Sequence, residues 1–168
     1  MQKIFKTAFL SLFLLGAMIS PSAAETLLSE EQARKIVQPF YDLLSRKASM
    51  DEAKQVFHPE WQSFYSETGS KGRDKTISFI GGPLAKMIPD LNWEIKSVSV
   101  TTKNEIIVRS EASGTPVGET FRGRPIDGKS FKIMTIDIHH PKDGKIIKSY
   151  HIEDWARAFQ QLAPAPKK

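Results

Sequence analysis

Five side chains that could exchange protons crowd the last third of the chain: Asp137, His139, His140, His151 and Asp154. A carboxyl facing water is ionised at neutral pH, but one held against apolar side chains keeps its proton longer and becomes useful as an acid or base. Two of these carboxylates have sequence contexts that fit. Asp137 shares a strand face with Phe131, Ile133 and Thr135, and Asp154 stands where a strand ends and a helix begins, with backbone N–H groups at hand. Each also has an ordinary reading. Asp137 can pair with a Lys or Arg on a neighbouring strand, and Asp154 can cap the last helix, worth about 0.5–2 kcal/mol. Arg109, Glu111 and Lys148 read as surface or sheet-face partners rather than as chemistry. A zinc site is disfavoured because adjacent strand residues such as His139 and His140 point to opposite faces.

These residues must be held by two strands and a helix. From Lys129 to His140 the residues alternate, with Phe131 to His139 on one face and Lys132, Met134, Ile136, Ile138 and His140 on the other. Pro141-Lys142-Asp143-Gly144 predicts a reversal. Lys145 to Ile152 then returns antiparallel, and Glu153-Asp154-Trp155 opens an amphipathic helix with Trp155, Ala158, Phe159 and Leu162 on its apolar side.

Upstream, Ser29-Glu30-Glu31-Gln32 is a capping box. It starts a helix whose stripe is Ala33, Ile36, Val37, Phe40, Leu43 and Leu44, with Pro39 expected to kink or split it. A second capped helix runs from Ser49 to Phe57. The aromatic stretch His58 to Tyr65 reads as a connection and Ser66 to Arg73 as a loop. A third helix, Asp74 to about Met87, is broken at Gly81-Gly82-Pro83. Trp93 to Val100 reads as a strand whose apolar side switches midway, as a bulge allows. Thr101 to Asn104 turns into a strand over Glu105 to Ser113, and Gly114 to Asp127 is a long connection. Helices first, then four strands in an antiparallel meander and a short helix, make an α+β arrangement with a curved sheet against helices.

The N-terminal 24 residues stand apart. Lys3 and Lys6 precede an uncharged apolar run from Ala8 to Ile19, and Pro21-Ser22-Ala23-Ala24 supplies small residues, which together read as a secretory signal cleaved after Ala24. That run is shorter than the roughly 20 residues of a membrane span, so no stable span is expected after cleavage. Taking 24 residues from 168 leaves 144, and losing two Lys lowers the formal charge from +5 to +3. The remaining basic residues are dispersed, which argues against nucleic-acid binding. With no cysteine, stability rests on packing alone. The expected organisation is a signal peptide over 1–24, one domain over 25–163, and a flexible tail over 164–168, in a periplasmic or secreted protein.

A set of short motifs resembles the SnoaL-like polyketide cyclase (ester cyclase-like) family. They are Ile88-Pro89-Asp90-Leu91, Phe121-x-Gly123-x-Pro125-x-x-Gly128-Lys129, Asp137-Ile138, Asp143-Gly144-Lys145-Ile146-Ile147, Asp154 and Gln160-Gln161-Leu162. The resemblance implies the NTF2-like fold, a cone of helices against a strongly curved antiparallel sheet of four or more strands around an apolar pocket. It also implies ring closure by aldol condensation with no metal or organic cofactor. That chemistry needs a base for a proton next to a carbonyl and a donor to the oxyanion. The matching acid/base position is Asp154, assisted by His140 or His151, with His139 facing the other way on its strand. Tyr150 stands where the family has an aromatic residue before that aspartate. Trp61, Tyr65, Phe79, Trp93, Asp137 and Tyr150 are the expected lining for a small, largely apolar molecule. The alternative is a non-enzymatic binding module that dimerises through its open sheet face, since both faces of the strand over 129–140 are apolar.

Overall fold

The computed structural model describes residues 27–165. The proposed signal peptide and the last three residues of the tail lie outside them. No helix among the described residues is long and apolar enough to cross a membrane.

Helix α1 spans Glu30–Leu44, and its capping box is made as expected, with Ser29 Oγ accepting from Gln32 N and the Gln32 side chain accepting from Ser29 N. It continues through Pro39 without splitting. One lost backbone hydrogen bond is outweighed by the stripe that α1 buries, Ala33, Val37, Phe40, Tyr41, Leu43 and Leu44. Helix α2, Met50–Val56, carries a second capping box from Ser49 and Glu52.

The stretch expected to be a connection is instead strand β1, Phe57–Phe64, and the expected loop contains β2, Ser70–Gly72, which pairs antiparallel with it. Helix α3, Arg73–Phe79, passes into a π-helical turn over Ile80–Leu84 and then α4, Ala85–Met87. Gly81, Gly82 and Pro83 mark that turn, so the predicted break appears as a widened helix.

Strands β3, Asn92–Val100, and β4, Ile106–Gly114, form a hairpin with a register shift between Ile95 and Ser97. This bulge keeps Trp93, Val98 and Ile106 in one core, as the switch in apolar side suggested. Gly114 is required where it stands, because a Cβ there would lie 2.5 Å from Ile88 Cγ2. The long connection that follows folds into a small hairpin, β5 (Thr120–Phe121) and β6 (Arg124–Pro125), whose turn residues Arg122 and Gly123 have positive φ.

Strands β7, Phe131–Lys142, and β8, Lys145–Glu153, are joined by Asp143-Gly144, both at positive φ, so the turn is tighter than the four residues predicted. Helix α5, Trp155–Leu162, closes the chain and buries Ala158 and Leu162. The main sheet has six strands in the order β2-β1-β8-β7-β4-β3. All neighbours are antiparallel except β1 and β8, which run parallel with Ser63 beside Ser149. The result is α+β with helices on a mostly antiparallel sheet. Its core lies between α1 and the face carrying Trp61, Phe131, Ile133 and Val108.

Candidate functional site

Alternation along β7 places Phe131, Ile133, Thr135, Asp137 and His139 in the interior. Parity along β8 turns Ser149, His151 and Glu153 the same way, and the register sets Asp137 opposite His151 and His139 opposite Ser149. From the helical side α1 contributes Tyr41, four residues after Val37 on the buried stripe. The inner face of this sheet therefore holds a cluster of polar groups within an apolar core.

Tyr41 is the junction. Its hydroxyl donates to Asp137 Oδ2 at 2.8 Å and lies 3.0 Å from His139 Nε2. His139 Nδ1 is 2.7 Å from Ser149 Oγ, which also accepts from the Trp61 indole N–H at 2.9 Å. A second line runs beside it: Ser63 Oγ is 3.2 Å from His151 Nε2, and His151 Nδ1 is 3.4 Å from Glu153 Oε1.

Burial sets the protonation of these groups. It pushes the Asp137 carboxyl up to about 7, with the Tyr41 hydrogen bond and the nearby His151 charge pulling back only in part. It pushes His139 down to about 3 and, with Asp137 beside it, holds the Tyr41 phenol well above its ordinary value. For His151 burial alone would act downward, but the Glu153 carboxylate overrides it and His151 ends above its ordinary value. Glu153 would rise by burial, yet its contact with His151 holds it below the usual carboxylate range. Two neighbouring groups are thus driven in complementary ways, a carboxyl that titrates near neutrality and an imidazole that favours its charged form. The Ser63, His151, Glu153 line has the order of a nucleophile, base and orienting acid. An imidazole kept charged suits proton donation, however, and takes a serine proton poorly.

Asp137 is 3% exposed, and that residue of exposure is informative. Among the described residues, the side-chain atoms both enclosed and without a partner are Arg46 Nε and Ser110 Oγ. Asp137 Oδ1 accepts no hydrogen bond and is absent from that pair, so it still meets solvent.

The other expected site residues are dispersed. Asp154 is exposed and is the N-cap of α5, accepting from Arg157 N at 3.0 Å, which is its ordinary reading. Replacing it by Ala should cost about 1 kcal/mol in denaturant unfolding while leaving the ionisation of Asp137 unchanged; a moved Asp137 titration would return Asp154 to the site. His140 points to the outer face, edge-on to Tyr150 and 3.6 Å from Glu105, so it is separated from Asp137 by the sheet. The inward face proves to be that of His139, the reverse of the expected assignment. Tyr150 is likewise on the outer face, against Phe64. Trp61 is fully buried and stacked on Phe57, Trp93 is buried with its indole donating to Thr135, and Phe79 is half-buried under Lys71. Tyr65 is 57% exposed. Of the expected set, only Asp137 and His151 come together on the inner face as neighbouring titratable groups.

Two cavities are defined elsewhere. One of about 340 Å³ lies between α1 and β3, lined by Arg34, Asp42, Lys47, Trp93 and Glu94 among others. Another of about 590 Å³ lies along α5, lined by Arg124, Ala156, Phe159, Gln160 and Ala163. Neither reaches Asp137, so the expected pocket lined by Trp61, Tyr65 and Phe79 is not formed by either of them.

Sequence reasoning passed over Tyr41, Ser63, Ser149 and Glu153. Signals for three of them were present: Tyr41 falls at helical spacing on the α1 stripe, and Ser149 and Glu153 stand two residues either side of His151.

Comparison with known proteins follows the same lines. Solved structures of similar fold include a putative SnoaL-like polyketide cyclase from Jannaschia sp. CCS1, at 19% identity and TM-score 0.68, covering 82% of this chain and 95% of that one. IdmH, a putative polyketide cyclase from Streptomyces antibioticus, aligns at 17% identity and TM-score 0.66, covering 78% and 98%. A hypothetical protein with a ketosteroid isomerase-like fold from Catenulispora acidiphila aligns at 12% identity and TM-score 0.61, covering 80% and 97%. No curated protein matches the chain. The sequence itself matches the SnoaL-like polyketide cyclase family over residues 35–162, well over half of its length, and the chain belongs to that family.

Proposed function

We propose that this protein binds a small, largely apolar molecule beside Asp137 and His151 and moves protons on it without a metal or organic cofactor, as an isomerase or cyclase would. The observation that carries this reading is the pairing of a buried carboxyl near neutrality with a charged imidazole at opposed register positions. Asp137 takes a proton from carbon next to a carbonyl, and His151, with Ser63 at its Nε2, donates to the oxygen that becomes negative. Return of both protons regenerates the pair. The guest approaches over His151 and Glu153, whose side chains are about a fifth exposed. Native mass spectrometry of protein purified from its own host should find an apolar molecule bound to wild type and lost on Ile133→Glu; an empty wild-type protein would remove the reading. Transit to the periplasm or medium belongs to the same proposal, and the intact mass of exported protein should place its first residue at Glu25.

A second reading rests on the outer sheet face. Met134, Ile136, Tyr150 and Ile152 are exposed there, Ile152 to 78%, a contiguous apolar set of the kind that marks association. On this reading two copies pack sheet to sheet. Light scattering should give a dimer that Ile152→Lys dissociates, and a monomer at high concentration would dispose of it.

A further inference from the structure

We propose that Trp61, Ser149, His139 and Tyr41 form a hydrogen-bond chain of fixed direction that ends on Asp137 Oδ2, and that the proton Asp137 exchanges is therefore carried on its other oxygen, Oδ1. The inference rests on the acid/base reading of Asp137 and makes the four residues positioning residues for it.

The direction follows from what each group can donate. An indole N–H can only donate, so Ser149 Oγ accepts from Trp61 at 2.9 Å. The Ser149 hydroxyl then turns its own hydrogen to His139 Nδ1 at 2.7 Å. His139 is fully buried and neutral, so it has one N–H; with Nδ1 accepting, that hydrogen is on Nε2 and points to the Tyr41 oxygen at 3.0 Å. Tyr41 is left to donate to Asp137 Oδ2 at 2.8 Å. Every link is satisfied with one hydrogen each.

The reverse order fails at one end. If Asp137 carried its proton on Oδ2 and donated to Tyr41, Tyr41 would donate to His139 Nε2, and Nδ1–H would donate to Ser149. Ser149 would then accept from both His139 and Trp61, and its own hydrogen would point into a buried site with no acceptor among its described partners. An unmade hydrogen bond of that kind is costly in the interior. Trp61 thus acts as a latch, four links from the carboxylate it controls. Oδ1, the oxygen that meets solvent, is the one left to gain and lose the proton.

The test uses the full chain labelled with 15N histidine and 13C aspartate, without substrate. Two-bond 1H–15N correlations across pH 5 to 9 report the His139 tautomer on both sides of the Asp137 titration. The proposal expects Nε2–H throughout, and a switch to Nδ1–H as Asp137 gains its proton would overturn it. In Tyr41→Phe, the Asp137 13Cγ midpoint should move to higher pH, because the donor to the ionised form is gone; an unmoved midpoint overturns the link to Oδ2. Ser149→Ala should release the tautomer preference, and retention of pure Nε2–H would show that Ser149 does not set it. The wild-type spectrum decides the matter even if a variant does not fold. A tautomer switch would remove the chain while leaving Asp137 as the base. A fixed tautomer with an Asp137 13Cγ midpoint below pH 5 would keep the chain and remove the acid/base reading, since a carboxyl that is fully ionised at neutral pH is a poor base.

Discussion

On the proposed acid/base role, Asp137→Asn should cut turnover sharply and, at pH 8, make the protein more stable than wild type. The loss of activity is expected at about 10²–10⁴-fold, the usual contribution of a positioned acid/base group, since an amide cannot take a proton. The gain in stability comes from the same burial. In the unfolded chain Asp137 titrates near 3.8, and in the fold it is pushed up to about 7. Between those values the unfolded chain has released the proton and the folded chain still holds it, so stability falls as pH rises through the window. Each unit is worth about 1.4 kcal/mol, so a rise from 3.8 to about 7 puts the benefit of Asn at roughly 4 kcal/mol at pH 8 and close to nothing at pH 4. Asn suits the comparison because its carbonyl can still accept from Tyr41 and it carries no charge to desolvate. Urea unfolding at the two pH values measures both. Equal stability of wild type and variant at pH 8 would mean that the ionised carboxylate costs the fold nothing.

His139→Gln should uncover a pH slope that the wild type conceals. Burial takes His139 from 6.5 in the unfolded chain to about 3 in the fold, so its contribution is lost as pH falls through that range. The Asp137 contribution is lost as pH rises from 3.8 to about 7. Over the shared range the two have opposite sign and similar size, so they offset each other. Other groups facing them act outside the middle of that range. The raised His151 loses its contribution as pH climbs above 6.5, the depressed Glu153 as pH drops below 4.5, and Tyr41 titrates far higher. Wild type should therefore be nearly level from pH 4.5 to 6.5. The variant should fall by about 1.4 kcal/mol per unit there, and Asp137→Asn should show the mirror image. A level profile in His139→Gln would refute the opposed slopes.

Local chemistry made some of this legible from the residues. The alternation of Phe131 to His139, the bulge in β3, both capping boxes and the capping role of Asp154 depend on neighbours in sequence, and each is where the pattern put it. The reversals came where the outcome depends on distant partners. His58-Pro59-Glu60 shows no strand alternation, and β1 exists because its edges are covered by β2 and by β8. Alternation alone does not say which face of β7 turns inward, since Met134, Ile136 and Ile138 are as apolar as Phe131 and Ile133. Helix α1 decides it, by bringing Tyr41 to Asp137 and His139. The resemblance led to Asp154, which the fold places as an exposed helix cap, while the buried carboxylate beside Tyr41 is Asp137.

The parallel seam between β1 and β8 has a temporal side. Trp61 and Ser63 meet Ser149 and His151 across 88 positions of chain. Contacts of such long range form late, because ordering so large a loop must precede any reward. A nascent polypeptide still lacking its final thirty or so residues would hold these two partners empty-handed. Assembly of the buried polar cluster and completion of the strand seam are therefore one event.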